Sequence, residues 1–175
     1  DGFTALIHGK YFHEETRATA SQANTAAGGK YIVVRDMDEA QLVMDYIEQN
    51  DRALTRDAFR AHFEQKASAG FDPDSDLARV GVANQTTMLA SESLAIAAAV
   101  GRSLAARYGS ADLIAHFRSF DTICSATQER QDAVIQMMQD PPAVMIVIGG
   151  YNSSNTNHLA HLCREYTTAY HIADA

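Results

Sequence analysis

The sequence predicts an α/β fold made of small, mainly parallel sheets that are flanked by helices. Short apolar segments of strand length alternate with helix-length segments along the whole chain. Polar loops repeatedly follow a strand and lead directly into the start of a helix. Strand–helix–strand units of this kind build parallel sheets with helices on their faces. Strands are predicted at residues 4–8, 31–34, 79–83, 116–120, 143–148 and 169–172.

The predicted helices between these strands have recognisable start and stop signals. Glu14 and Glu15 lie in the first turn of the first helix, where acidic side chains suit the helix dipole. Asp36 or Asp38 caps the second helix. The first four helices are predicted at about residues 13–24, from the Asp36 or Asp38 cap to 48, at 55–67 and at 91–108. Two further helices end near residues 139 and 166. Two prolines stop the helix that ends near 139.

The composition is that of an ordinary globular chain with ample core. The 175 residues are 46% hydrophobic and 21% charged. With 14 Lys and Arg against 22 Asp and Glu, the net charge is −8, which argues against general binding to nucleic acid or to a membrane surface. No segment resembles a signal peptide or a membrane span. An anionic small molecule is not excluded, because local donors can bind one against the overall charge.

The chain is predicted to be a piece of a longer polypeptide, because it does not begin with methionine. Residues 1–115 are expected to form one complete α/β lobe with a helical insert at about 51–75, and residues 116–175 part of a second lobe. Two cysteines, Cys124 and Cys163, do not make a disulfide framework, so a reducing cytoplasm is the expected compartment.

Four polar loops stand at strand ends and could converge on one ligand site, because ligands of open α/β sheets bind at the carboxyl ends of the strands. These loops are residues 9–15, 84–87, 121–127 and 150–155.

Cys124 is the first candidate for chemistry, because it lies on the turn before a helix, where unpaired N–H groups favour a thiolate. A thiolate can attack a substrate or bind a metal, and the structural alternative is a buried, inert cysteine. Cys163 is predicted to be a small core residue. His158 and His161 are predicted to be solvated rather than bound to a metal.

The segment 151–157 is the densest cluster of donors, and hydroxyls, amides and a helix N-terminus suit a phosphate or diphosphate. The alternative is a plain capping loop. His13 could hold an anionic oxygen and Glu15 could deliver a proton, unless both belong to a solvated first helical turn. Thr86 and Thr87 add hydroxyls at a third strand end, where an ordinary helix cap is the alternative.

Five segments resemble, in order, the 4-hydroxy-3-methylbut-2-enyl diphosphate reductase family, also called the LytB family: HGKYFHEETRATAS, GKYIVV, VGVANQTTML, FDTICSATQERQDA and VIGGYNSSNTNHL. The resemblance extends over nearly the whole chain. The insert at about 51–75 resembles the cyanobacterial and plastid branch, which adds the plastid stroma to the possible compartments.

The resemblance implies an iron–sulfur oxidoreductase with three similar α/β lobes around a central cavity. In this family a 4Fe-4S cluster is held by three cysteines, and its fourth iron takes the substrate hydroxyl. Two electrons, usually from ferredoxin or flavodoxin, and protons remove that hydroxyl to give isopentenyl and dimethylallyl diphosphate. This is the last step of the non-mevalonate isoprenoid pathway.

The resemblance also implies roles for individual residues. Cys124 matches a cluster ligand, Glu15 the glutamate of proton delivery, and Thr86 the threonine that helps orient the substrate hydroxyl. The remaining matches are to residues at the substrate or near the cluster, namely His13, Thr127, Ser153, Ser154 and Asn155.

The chain departs from the family pattern in its cysteines. Two further cluster ligands are expected outside this chain, and Cys163 is not at a ligand position. The chain is therefore expected to be an internal fragment that is inactive alone. Two other interpretations stay open: a non-catalytic α/β module that binds a phosphorylated small molecule, and an enzyme with Cys124 as a thiol nucleophile.

Overall fold

A computed structural model describes residues 2–25, 28–120 and 124–174 of the chain. The strands in it pair in parallel in two sheets. The chain divides into two compact units. The first consists of Asp1–Gln85 and Ser91–Thr122, and the second of Thr86–Ala90 and Ile123–Ala175. The predicted turn at 26–30 and the predicted loop at 121–127 lie partly outside the described residues.

The first unit contains a four-stranded parallel sheet. Its strands are β1 (Thr4–His8), β2 (Lys30–Val34), β3 (Val80–Asn84) and β4 (Phe117–Ser119), in the spatial order β2-β1-β3-β4. Leu6 of β1 lies opposite Ile32 on one side and Val82 on the other. The order reverses between β1 and β3, and this is where open α/β sheets form a ligand crevice at the carboxyl ends of their strands.

Helices cover both faces of this sheet, which explains why its strands are apolar almost without alternation. The helices are α1 (Glu14–Thr25), α2 (Met37–Glu48), α3 (Arg56–His62), α4 (Pro73–Asp76), α5 (Ala90–Tyr108) and α6 (Leu113–His116). Ile7 and Val33 form a small buried cluster with Ala20 of α1. Leu6 and Ile32 face the opposite side, where they join the main core with α2 and α5. Each such fully buried side chain stabilises the fold by about 1.5–3 kcal/mol.

The insert at about 51–75 is part of the main core. Phe59 and Phe63 are 0% and 1% exposed, and Phe71 is also buried. Beyond α3 the chain runs beside β2, where the N–H of Val33 donates to the carbonyl of Lys66 at 2.7 Å. The predicted helix at 55–67 is therefore shorter than expected: it ends at His62, residues 63–66 form a turn, and Ala67 pairs with Ile32 of β2.

The second unit is a strand–helix–strand unit with one further helix. Its elements are α7 (Ser125–Met137), β5 (Val144–Ile148), α8 (Ser154–Arg164) and β6 (Thr168–Ile172), and β5 pairs with β6 in parallel. Ala160 and Cys163 on α8 are completely buried. The prediction that Cys163 is a small core residue is confirmed.

The predicted fold class is confirmed, and the six predicted strands are found within a residue or two of their expected bounds. Two short helices, α4 and α6, were not expected. The division into lobes at residues 1–115 and 116–175 stays a prediction, although β4 pairs with β3 in the first sheet. Within the described ranges, none of the helices combines the length and the apolar content that a bilayer crossing requires.

Candidate functional site

In the first unit, the buried side chain of Gln85 fixes the loop that follows β1. Its Oε1 accepts hydrogen bonds from the N–H of Lys10 at 3.2 Å and from the hydroxyl of Thr16 at 3.0 Å. The loop passes so close to α1 that a Cβ at Gly9 would lie 2.6 Å from the Thr16 hydroxyl oxygen. Gly9 therefore allows the contact, and Gln85 holds in place the loop that leads to His13 and Glu15.

His13 and Glu15 form the start of α1 together. The N–H of Glu15 donates to Nδ1 of His13 at 3.3 Å, so a neutral His13 carries its own proton on Nε2. That N–H can donate to an anionic oxygen. Both side chains are half-buried, whereas Glu14 is exposed. The two predicted residues are thus brought together at a helix N-terminus, which favours negative charge.

A cluster of polar side chains, formed by His8, Ser93 and Glu92, lies at the carboxyl end of β1. Nδ1 of His8 is 2.8 Å from the hydroxyl oxygen of Ser93, and its Nε2 is 3.8 Å from Oε2 of Glu92. Burial raises the pKa of the Glu92 carboxyl, and the negative charge of Asp36 raises it further, while the N–H of Met37 opposes the shift. None of these side chains was expected from the sequence to belong to a polar cluster.

In the second unit, Cys124 is the N-cap residue of α7 and its side chain is exposed. Its N–H donates to the carbonyl of Thr86 at 3.2 Å, and its carbonyl accepts from the N–H of Thr127 at 2.8 Å. The structure therefore places the backbone of Thr86 next to the cysteine turn. Thr127 is buried, at 4% exposure, so it packs beneath that turn.

The segment Thr86–Ala90, here called the threonine segment, is fastened to α7 and α8. The carbonyl of Thr87 accepts a hydrogen bond from Nδ1 of His158 at 2.8 Å. The prediction that His158 is solvated is therefore wrong, because its half-buried ring binds this carbonyl. His161, one turn later, is exposed. The carboxamide of Gln131 makes two more hydrogen bonds to the same segment.

The loop before α8 carries the predicted anion site. Ser153 caps α8, and its oxygen accepts from the N–H and the hydroxyl of Thr156 at 3.3 and 3.0 Å. Neither contact uses the hydroxyl proton of Ser153. A Cβ at Gly149 would lie 2.6 Å from the Thr156 hydroxyl oxygen, so glycine permits the tight turn. Capping and anion binding are thus compatible in this loop.

Ser154 and Asn155 complete this loop. Ser154 is 5% exposed. Within the described part of the chain, the buried Oδ1 of Asn155 has no hydrogen-bond partner. A carboxamide can present either its oxygen or its NH₂ group after rotation, so Asn155 can accept from or donate to a ligand here.

These contacts place the cysteine turn and the anion loop in one unit. Cys124 contacts Thr86, the neighbouring Thr87 contacts His158, and His158 follows Asn155 by one turn of α8. His13 and Glu15 belong to the first unit.

A thiolate ligand for iron fits Cys124, because an exposed thiol at a helix N-terminus is accessible and thiolates suit Fe–S clusters. Over residues 2–25, 28–120 and 124–174, no group of three or more His, Cys, Asp or Glu side chains is arranged to hold a metal. Within these ranges, the side chain that fits iron is the exposed thiol of Cys124, because Cys163 is completely buried.

Sequence reasoning missed Gln85, Gln131 and His158, which hold the predicted site residues in place. Each has a weak signal in the sequence. Gln85 is a polar residue directly after an apolar strand. Gln131 lies four residues after Thr127, and His158 lies three residues after Asn155, so each falls on the same helix face as a candidate residue.

The chain is similar to curated proteins that are about half identical to it. It is 52% identical over 174 residues to the 4-hydroxy-3-methylbut-2-enyl diphosphate reductase of Gloeobacter violaceus, which covers 99% of this chain and 40% of that protein. It is 51% identical over 175 residues to the protein of the same name from Thermosynechococcus vestitus, with 99% and 41% covered. The chain thus spans about two fifths of the length of these relatives.

A solved structure has the same fold. It is the E-1-hydroxy-2-methyl-but-2-enyl-4-diphosphate reductase from Plasmodium falciparum, with a TM-score of 0.58 and 17% sequence identity. The similarity covers 98% of this chain and 41% of that one.

The model of one protein family, described as LytB protein, matches residues 1–175. A match over the whole chain, together with relatives at about 50% identity, shows that the chain belongs to the LytB family.

Proposed function

We propose that this chain is part of an oxidoreductase that removes the hydroxyl of 4-hydroxy-3-methylbut-2-enyl diphosphate and gives isopentenyl and dimethylallyl diphosphate. One observation carries the proposal most directly. The exposed thiol of Cys124 and the Ser153–Asn155 loop lie in the same unit, joined through the threonine segment. A soft metal ligand and an anion site in one unit are what reduction of a diphosphate ester on an iron–sulfur centre requires.

Cys124 would be one of three thiolate ligands of a 4Fe-4S cluster, and the other two would come from outside this chain. Such a cluster would supply electrons and a Lewis-acidic iron at the substrate hydroxyl. Cys163 takes no part, because it is completely buried and burial raises the pKa of its thiol.

Ser153, Ser154 and Asn155 would bind the diphosphate at the N-terminus of α8. The hydroxyl proton of Ser153 and the carboxamide of Asn155 can point to phosphate oxygens, and the helix dipole favours the negative charge. His13 would add its Nε2–H as a further donor. The uncharged hydroxyl and carboxamide donors of Ser153 and Asn155 fit a chain whose net charge is −8.

Thr86 would hold the hydroxyl that leaves, and Glu15 would deliver a proton to it. The overall change is balanced by two electrons and two protons: the C–O bond breaks, a C–H bond forms and water leaves. The electrons would come from ferredoxin or flavodoxin. The reaction would take place in the cytoplasm, or in the plastid stroma of a plant or alga.

The proposal is tested on the full-length protein, that is, this chain with the flanking sequence that its relatives carry. After anaerobic reconstitution with iron and sulfide, we expect a broad visible absorption that Cys124→Ala abolishes. Cys163→Ala is the matched control and should keep the absorption. A full-length protein that stays colourless would instead support a non-catalytic module for a phosphorylated small molecule.

The anion loop is tested separately. Replacing Ser153 and Asn155 together by Ala should weaken substrate binding by about ten- to hundredfold per lost charge-assisted hydrogen bond. The visible absorption should not change, because neither residue is proposed as an iron ligand. Asn152→Ala, in the exposed part of the same loop, is the control. Unchanged affinity in the double variant would contradict this site.

A further inference from the structure

The threonine segment is held by side chains and backbone groups that lie far from it in sequence. At its first residue, the carbonyl of Thr86 accepts from the N–H of Cys124. At its other end, the N–H of Ala90 donates to Oε1 of Gln131 at 3.1 Å, and Nε2 of Gln131 donates to the carbonyl of Met88 at 3.0 Å. The segment is thus fixed to α7 at both ends.

Gln131 is buried with the groups that it binds. Its exposed fraction is 2%, and Met88 and Ala90 are 3% and 4% exposed. A carboxamide at such a place loses its hydration, which is unfavourable unless both its donor and its acceptor are used. Here both are used, on two backbone groups of one short segment. An apolar side chain of the same length would fill the space but could not set the position of this backbone.

The contacts of the threonine segment involve two positions on α7 that lie a fixed distance apart. Cys124 caps α7, and Gln131 lies seven residues later, about two helical turns. The two anchor points therefore fix both the position and the direction of the threonine segment along α7. Thr86 is held beside the cysteine turn with its side chain exposed.

We propose that Gln131 is a positioning residue for Thr86: its carboxamide holds the threonine segment in the register that presents the Thr86 hydroxyl beside Cys124. This inference rests on the proposed function, in which Thr86 holds the leaving hydroxyl. Gln131 itself does not touch the substrate. Its effect is confined to the part of the substrate that Thr86 contacts and does not extend to the diphosphate.

The test uses Gln131→Met in the reconstituted full-length protein, because methionine keeps the volume and removes both hydrogen bonds. We expect kcat to fall by about ten- to hundredfold, as for a small misplacement of a reacting group, with an unchanged cluster absorption. Affinity for the hydroxyl-bearing substrate should fall, whereas affinity for dimethylallyl diphosphate, which has no hydroxyl, should not. Gln136→Met, an exposed change on the same helix, is the control.

A double-variant cycle separates positioning from general stability. If Gln131 acts through Thr86, then Thr86→Val and Gln131→Met together should lower kcat no further than Thr86→Val alone. Additive losses, or an equal loss of affinity for the hydroxyl-free diphosphate, would overturn the inference. If Thr86→Val has no effect by itself, the proposed role of Thr86 fails. If only Gln131→Met has no effect, the inference about Gln131 fails while the proposed function stands.

Gln131→Glu gives a second variant in case the methionine variant does not fold. A protonated glutamic acid can accept from Ala90 and donate to Met88, whereas a carboxylate cannot donate. The activity of Gln131→Glu relative to the unmodified protein should therefore rise as the pH is lowered. A constant ratio across pH would contradict a role for the hydrogen bond to Met88.

Discussion

Glu15 is the residue at which the proposed chemistry can be tested by the smallest change. Glu15→Gln keeps the size of the side chain and its place beside His13 but removes the transferable proton. We expect turnover to fall by about 10²–10⁴-fold, the usual contribution of a general acid, with little change in substrate affinity. Glu14→Gln, on the exposed side of the same turn, should have no such effect. Equal losses of turnover and affinity would show that Glu15 only binds.

The two cysteines should differ in reactivity although they share one unit. Cys124 is exposed, whereas Cys163 is completely buried and burial raises the pKa of its thiol, which leaves less thiolate. Iodoacetamide at neutral pH should therefore label Cys124 alone in the folded 175-residue chain and both cysteines in denaturant, as mass spectrometry of the peptides would show. Labelling of Cys163 in the folded chain would contradict the buried position.

The sequence indicated candidate site residues better than the side chains that support them. Cys124 and Ser153 stand out in short motifs, because the turn and the helix start on which they lie are local features. Gln131 is one of many polar residues on a mostly polar helix, and its partners Met88 and Ala90 are over 40 positions away. Such a partnership depends on how the chain folds, so the sequence alone could not assign it.

At the scale of one element, α2 is stabilised by its N-cap. The sequence left the cap at Asp36 or Asp38, and the structure selects Asp36, whose carboxylate accepts from the N–H of Glu39 at 3.0 Å. Asp36→Ala should cost about 1 kcal/mol of unfolding free energy, more than Asp38→Ala, because it leaves that N–H without its partner. Urea unfolding at neutral pH measures the difference, and equal effects of the two variants would contradict the cap.

The stabilisation by Asp36 should also depend on pH. Burial acts to raise the pKa of its carboxyl, but the N–H of Glu39 and the guanidinium of Arg35 outweigh burial and hold that pKa below its ordinary value. The folded state therefore favours the charged carboxylate. Its contribution is present above the ordinary pKa of an aspartate and is lost as the pH falls through the lowered pKa. The difference between Asp36→Ala and the unmodified chain should accordingly shrink in acid.

Strands and helix starts were predicted well where residues close together in the sequence determine them. Apolar runs bounded by glycine or proline gave the strands, and acidic or hydroxyl caps gave the helix starts. The helix at 55–67 was predicted too long, because it ends at His62 and, after a turn, Ala67 forms an antiparallel bridge with Ile32 of β2. That end is decided by a contact with a distant strand and not by helix propensity.

At the scale of the whole molecule, the roles of two segments could not be read from the sequence. The insert at about 51–75 contributes Phe59 and Phe63 to the main core of the first unit. The threonine segment begins two residues after the end of β3 but belongs to the second unit. In both cases the sequence reveals the apolar or polar character of the residues, while contacts between distant positions decide where they pack.

One face of the β5–β6 sheet is apolar and exposed. It consists of Val144, Ile146, Ile148 and Tyr170, which are 52–58% exposed, and Ile146 lies directly opposite Tyr170. Parallel sheets in stable proteins usually have both faces covered, and a contiguous apolar surface promotes association. The 175-residue chain alone should therefore self-associate at concentrations of about 100 μM, where pairs of weak interfaces become populated.

Ile146→Lys should reduce this association, because it puts a hydrated charge in the middle of the apolar face and removes no core contact. Leu94→Lys, at a side chain that is also 58% exposed but lies on α5, is the matched control and should leave association unchanged. Sedimentation velocity of the three proteins at several concentrations measures the effect. A chain that stays monomeric, or an equal response to both substitutions, would show that this face does not drive association, because only one of the two lysines lies on it.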